Sequence, residues 1–187
     1  MNDNKIIKFE NEIRLAELDP KNFLVKAGFE EDMTLCDIGA GTGVFTFPAT
    51  EISNNYIYAL DISDNMIEIL SERMVERNIK NLKILKVDSP ILPLGNNICD
   101  MVIMVTVLHE IENREVMMEE IKRILKQNGK LVIIEFHKRK TPMGPPVDHR
   151  ISEEYVEELG NSKGLRTIRK LSLGDNFYCV IFDFGTN

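Results

Sequence analysis

The run Leu35-Cys36-Asp37-Ile38-Gly39-Ala40-Gly41-Thr42-Gly43 constrains the fold more than any other stretch of this chain. A short apolar segment carries an acid near its end, three glycines follow at alternate positions, and helical patterning resumes after them. Glycine lets a backbone take positive φ and approach a ligand closely. The helix start beyond it offers unpaired N–H groups. Such a strand–loop–helix hinge is found in open parallel α/β sheets that bind nucleotide-like cofactors. The dinucleotide spacing G-x-G-x-x-G/A would need Gly or Ala at position 44, which is Val44 here. The third glycine instead falls one residue earlier, at Gly43.

The rest of the chain alternates as such a sheet requires. Apolar runs predict strands over residues 33–38, 56–60, 82–87, 98–107 and 130–136. Helical stripes lie between several of them: Met66, Ile67, Leu70 and Met74 after a cap at Ser63, then Met117, Ile121, Ile124 and Leu125 before a stop at Asn128-Gly129. Pro48 shortens or kinks the helix that follows the glycine loop. Residues 1–32 read as a lead-in of one or two short helices. Ile13, Leu15, Ala16 and Leu18 make a poor stripe there, and Asp19-Pro20 makes a helix start with Asp19 as cap. Residues 137–150 carry three prolines and read as an ordered loop, either a lid over the active face or a connector. A helix over residues 151–161 follows. Two final strands, 165–173 and 177–184, are joined by Gly174-Asp175-Asn176, a hairpin length. The predicted organisation is a single α/β domain over residues 1–187.

Charge and composition remove several classes. A formal net charge of -7 over 187 residues argues against a broad nucleic-acid surface. No apolar run approaches the ~18 residues of a membrane span, and the first residues lack a signal-peptide core, so a cytoplasmic location is expected. Cys36, Cys99 and Cys179 are far apart and form no C-x-x-C pair; buried free thiols are expected. His109-Glu110 is not a zinc-binding H-E-x-x-H, because position 113 is Asn113, and no metal site is predicted.

In an open parallel sheet, ligands lie beyond the carboxyl ends of the strands. Asp37, Asp61 and Asp88 stand at three successive predicted strand ends. Each alone reads as readily as a helix cap or turn residue. Asp61 also lies at the distance past the first glycine, about 20 residues, at which an acid accepts ribose hydroxyls. Taken with the glycine spacing and the closing hairpin, the chain resembles the class I S-adenosylmethionine-dependent methyltransferases. The run Val107-Leu108-His109-Glu110 and the segment Gly144-Pro145-Pro146 through Arg150 resemble the small ubiquinone/menaquinone-biosynthesis-like subgroup.

The resemblance implies a Rossmann-like, doubly wound, seven-stranded sheet of order 3-2-1-4-5-7-6, mostly parallel, with an antiparallel C-terminal hairpin strand. It implies S-adenosyl-L-methionine as cofactor and S-adenosyl-L-homocysteine as product. Asp37 and the loop Gly39, Ala40, Gly41, Thr42 and Gly43 would receive the methionine part. Asp61 and Ile62 would meet the ribose, Met66 the adenine face, and Asp88 and Ser89 the adenine edge. The run Val105-Thr106-Val107-Leu108-His109-Glu110 would lie under the sulfonium and the incoming substrate, and the lead-in would help cover the substrate. His109 is the candidate catalytic base, by its ordinary pKa of ~6.5, with a pocket-lining role as the alternative. Glu135, His137 and His149 are further candidates at the mouth, with solvated rim as the other reading.

The acceptor is expected to be a small molecule. After the fourth strand there is no Asn/Asp-Pro-Pro-aromatic run, as in adenine or glutamine amino-methylases, and no Pro-Cys nucleophile. Oligomeric state is not legible. A nicotinamide-dependent oxidoreductase and a non-catalytic cofactor-binding protein stay open as alternatives. Replacing Asp61 by Ala is expected to weaken cofactor binding about tenfold or more and to change folding stability little.

Overall fold

The first strand, β1 (Leu35–Ile38), is buried at all four positions, because parallel neighbours flank it and helices cover both its faces. In the computed structural model, which describes residues 9–185, a lead-in precedes it as α1 (Glu12–Leu18) and α2 (Pro20–Lys26). Residues 1–8 of the predicted lead-in lie outside the described residues. After β1 come α3 (Thr46–Ile52), β2 (Ile57–Asp61), α4 (Asp64–Glu76), β3 (Leu82–Lys86) and β4 (Cys99–Val105). The chain continues through α5 (Arg114–Ile124), β5 (Leu125–Phe136), α6 (Glu153–Ser162), β6 (Arg166–Leu173) and β7 (Phe177–Asp183). Short 3-10 turns stand at Leu108–Glu110 and Val147–His149.

The seven strands form one sheet of order β3-β2-β1-β4-β5-β7-β6. Pairs from β3 to β5 are parallel, and β7 runs antiparallel between β5 and β6. The fold is therefore the α/β, Rossmann-like arrangement that the strand–helix alternation and closing hairpin lead one to expect. Alternate residues of each strand enter opposite cores. Met101, Ile103, Val132 and Ile134 join Phe23, Leu24, Phe47 and Leu70 on one face. Val102, Met104, Leu131 and Ile133 join Met118, Ile121, Val156 and Leu159 on the other. The lead-in, α3 and α4 thus cover one side, and α5 and α6 the other. The edge strand β6 carries Arg166, Arg169 and Lys170, whose charge discourages further strand pairing.

Local details depart from the sequence reading where tertiary contacts intervene. Asn128-Gly129 does not stop a helix. The helix α5 ends at Ile124, whose carbonyl takes the Ile98 N–H, and buried Leu125 passes straight into β5. The two residues fall in a bulge where the register moves from Cys99↔Leu125 to Met101↔Lys130. Ser63 and Asp19 stand at N-cap positions without making a side-chain cap bond. The Ser63 N–H instead donates to Asp61, and the Asp19 carboxylate accepts from the Asn22 amide. The helix α3 is short, and Pro48 falls in its first turn, where a missing N–H matters least. All three cysteines are free and buried. Among the described residues, no helix is long and apolar enough to cross a membrane.

Candidate functional site

The glycine loop is tied to the neighbouring strand: Gly39 and Ala40 both donate their N–H to the Leu60 carbonyl, at 2.8 and 3.0 Å. Gly39 has φ +72, and a Cβ there would overlap the Val107 side chain, so only glycine lets the exits of β1 and β4 come this close. Gly43 has φ +86 and serves a different purpose. A Cβ at that position would overlap Phe47 and Leu70, so Gly43 admits the packing of α3 on α4.

A cavity of about 410 Å³ opens at the carboxyl ends of β1, β2 and β4. Asp37, Gly39, Ala40, Gly41 and Thr42 line it from the first strand and its loop, Asp61, Ile62 and Met66 from the second, and Val105 from the fourth. Gly43, Asp88, Ser89 and His109, all singled out in the sequence, do not line it. Gly43 is turned into helix packing. Asp88 and Ser89 lie past the end of β3, in an exposed turn where the Ser89 hydroxyl closes on Ile91. Val87 takes their place on the wall. His109 faces a neighbouring cavity instead.

Asp61 is only 8% exposed, and its carboxylate organises the loop. One oxygen accepts the Gly41 N–H at 2.8 Å and the other the Ser63 N–H at 2.9 Å. A carboxylate has about four lone-pair sites, so acceptor capacity remains for a ligand's hydroxyls. These bonds argue for a larger stability cost of Asp61→Ala than the small change expected from the sequence, because two backbone donors would lose their acceptor. Asp37 is buried and accepts the Thr46 hydroxyl at 2.6 Å. Burial pushes its pKa up to about 7; the Thr46 bond acts against this and the Asp61 charge adds to it.

The lead-in closes the same cavity. Phe9 and Arg14 line it, and Arg14 is 93% buried, with 7% exposed. Arg73 of α4 bonds both the Glu10 carboxylate and the Thr42 carbonyl, holding the start of the lead-in over the glycine loop. At the far end of α1, Glu17 accepts from the Asp175 and Asn176 N–H groups and from the Asn176 amide at the β6–β7 turn.

The second cavity, about 400 Å³, is walled by His109, Glu110, Arg114, Pro145, Asp148 and His149. Glu110 lines both cavities. His109 Nδ1 lies 2.8 Å from Glu135, which is 1% exposed. Burial lowers the His109 pKa, but the hydrogen bond and charge of Glu135, with the charge of Glu110, outweigh it and leave the value raised. His137 bonds Ser172 at 3.1 Å and lines neither cavity. The proline-rich loop is pinned from beneath by buried Arg150. Its guanidinium donates to the carbonyls of Pro145, His137, Arg139 and Met143 and to the Thr141 hydroxyl.

Of the further lining residues, Arg14 and Ile111 carried no motif, and Met117 was read only as part of a helical stripe. The single signal for Arg14 was negative: the stripe of α1 is poor because a cation occupies a buried position beside Leu18.

Residues 36–133, more than half of the chain, match a family model described as a methyltransferase domain. The ubiquinone/menaquinone biosynthesis C-methyltransferase UbiE of Rhizobium meliloti is 29% identical over 116 residues, 60% of this chain and 45% of that protein. A demethylmenaquinone methyltransferase of a Geobacillus species is 25% identical over 134 residues, 71% of this chain and 56% of that protein. The chain spans about half the length of these curated relatives. A SAM dependent methyltransferase from Aquifex aeolicus superposes with a TM-score of 0.89 at 28% identity, covering 96% of both chains. The [4+2]-cyclase SpnF, at 17% identity and a TM-score of 0.77 over 89% of this chain and 81% of its own, shares the fold alone. By sequence and architecture together, the chain belongs to the methyltransferase domain family, with the fold of the class I S-adenosylmethionine-dependent methyltransferases and a similarity to UbiE-type enzymes.

Proposed function

We propose that this chain transfers a methyl group to a small-molecule acceptor held beside the β4 exit. The observation that supports this most is the convergence of Asp37, Gly39, Gly41, Asp61 and Val105 on one cavity at the strand ends. Within it, Asp61 would hold the ribose hydroxyls of S-adenosylmethionine, and Met66 and Ile62 would flank the adenosine. Asp37 would attract the cofactor's ammonium once ionised. When bound, the cofactor supplies a methyl group already activated on a sulfonium. The protein's share is therefore alignment and exclusion of water. Val105, Thr106, Val107, Ile111 and Met117 give the acceptor side a mostly apolar wall.

That wall suits a ring compound, and the relatives named for ubiquinone/menaquinone biosynthesis support a quinol-like ring as acceptor class. The net charge of -7 weighs against a nucleic-acid substrate. His109 lies in the adjoining cavity and, with Glu135 fixing its ring, would accept a proton only from an acceptor reaching past Glu110. The test has two parts. S-adenosylhomocysteine should bind in a calorimetric titration whereas a nicotinamide cofactor should not. Labelled cofactor should then mark a small molecule in a metabolite extract. Binding of the nicotinamide cofactor alone would overturn the reading.

A further inference from the structure

We propose that the guanidinium of Arg14 is a carboxylate-binding site at the end of the cavity remote from Asp61. The proposal deepens the methyltransferase reading and rests on it. Among the described residues, the Arg14 side chain makes one hydrogen bond, from Nη2 to the Thr106 hydroxyl at 3.0 Å. Its Nε is buried without a partner, and no ion pair to the side chain occurs among these residues. A guanidinium has five N–H donors, so most of this fork is uncommitted. A buried cation left in that state is unfavourable unless something else meets it. Glu135 attracts it from a distance, and burial pulls its pKa only to about 10, so it stays charged at neutral pH.

Arg14 lines the cavity, and its surroundings hold the guanidinium in place. The guanidinium carbon stands 5.2 Å from the centre of the Phe177 ring and 5.8 Å from that of Phe136, and these rings restrict its movement. Thr106, its hydrogen-bond partner, has φ +56, unusual for a β-branched residue. The helix that carries Arg14 is itself anchored, through Glu17, on the β6–β7 turn. Thr106, Phe136 and Phe177 belong to the exits of β4 and β5 and the start of β7, whereas Asp61 ends β2 on the other side of β1. A planar guanidinium with most of its donors uncommitted fits a carboxylate better than any neutral group.

That carboxylate has two sources: the amino-acid end of the cofactor, or the acceptor. Calorimetric titrations of the wild type, Arg14→Gln and Arg14→Lys separate them. The probes are S-adenosylhomocysteine, its decarboxylated analogue, and benzoate added with and without S-adenosylhomocysteine. If the cofactor supplies the group, Arg14→Gln weakens S-adenosylhomocysteine about tenfold or more, leaves the decarboxylated analogue unchanged, and Arg14→Lys restores part of the loss. If the acceptor supplies it, the cofactor affinities stay level and Arg14→Gln abolishes benzoate binding seen with the wild type. Equal loss for both adenosyl probes, or no change with any probe, overturns the proposal and leaves Arg14 a structural cation. Should the wild type bind no S-adenosylhomocysteine, the methyltransferase reading falls by itself. The benzoate titration of the free protein then decides Arg14 alone. Circular dichroism of the two variants, with the charge retained in Arg14→Lys, separates loss of the site from loss of fold.

Discussion

His109 and Glu135 are joined twice: the carboxylate accepts the His109 backbone N–H at 3.1 Å and meets the ring Nδ1 at 2.8 Å. The first contact fixes the turn after β4 against the end of β5, and the second fixes the ring. His109 has a raised pKa in the folded protein, so the protonated ring is favoured by folding. The stability gained is complete below the unfolded value, ~6.5, and is lost as pH rises through the folded one. Glu135→Gln should lower the His109 midpoint in an NMR titration. Its stability deficit should be greatest at low pH and shrink as His109 deprotonates. An unmoved midpoint would remove Glu135 as the cause.

Asp37 has the opposite chemistry and the same sign. Its folded pKa of about 7 lies above its ordinary 3.8, so the folded protein holds a proton that the unfolded chain releases. Stability should therefore fall as pH rises from about 4 to about 7, and Asp37→Asn should flatten that slope. If Asp37 faces the cofactor's ammonium, binding favours the ionised acid. Affinity for S-adenosylhomocysteine should then rise from pH 6 to 8 in the wild type and stay level in Asp37→Asn. Calorimetry in two buffers of different ionisation heat would detect the released proton.

Asp61 carries a dual load. Asp61→Ala should reduce unfolding stability by about 1–3 kcal/mol in urea, because the N–H groups of Gly41 and Ser63 lose their acceptor. It should also weaken S-adenosylhomocysteine about tenfold or more. Lower stability with unchanged affinity would assign Asp61 to the loop alone.

Two loop glycines should respond differently to Ala. Around Gly41, φ +55, a Cβ meets only Phe9 at 3.8 Å and the Gly39 carbonyl at 3.9 Å, so backbone strain of about 1–2 kcal/mol is the main penalty. Gly43→Ala adds overlap with Phe47 and Leu70 and should destabilise by more. Gly41→Ala should show the larger effect on cofactor affinity for a given loss of stability, because Gly41 lines the cavity. Equal ratios in the two variants would argue against that division.

Arg150 sets the conformation of the proline-rich loop through five acceptors. Arg150→Met should raise proteolysis within residues 138–149 about tenfold or more while the sheet stays intact, read by limited digestion and circular dichroism. Resistance equal to the wild type would show that the loop holds itself.

Much of this architecture is legible locally. Apolar runs of four to seven residues mark β1, β2 and β4, and the Gly174-Asp175-Asn176 turn marks the hairpin that places β7 antiparallel. The glycine spacing and Asp61 locate the cavity, because sheet topology puts the ends of neighbouring parallel strands side by side. Asp88 and Ser89, expected at the adenine edge, do not line the cavity. A strand end predicts where the backbone arrives, and the next two residues turned outward into solvent.

What the chain determined by itself is therefore the order of elements, the face each strand buries, and the place where a ligand could enter. Tertiary structure alone decided which side chains meet there. Arg14 reaches the cavity because Arg73 and Glu17 hold the lead-in at two distant points, and Glu135 meets His109 because β5 lies beside β4. Periodicity and turn chemistry act over a few residues. Such pairings join residues 26 to 159 apart, whose attraction takes effect only after the sheet has brought them together.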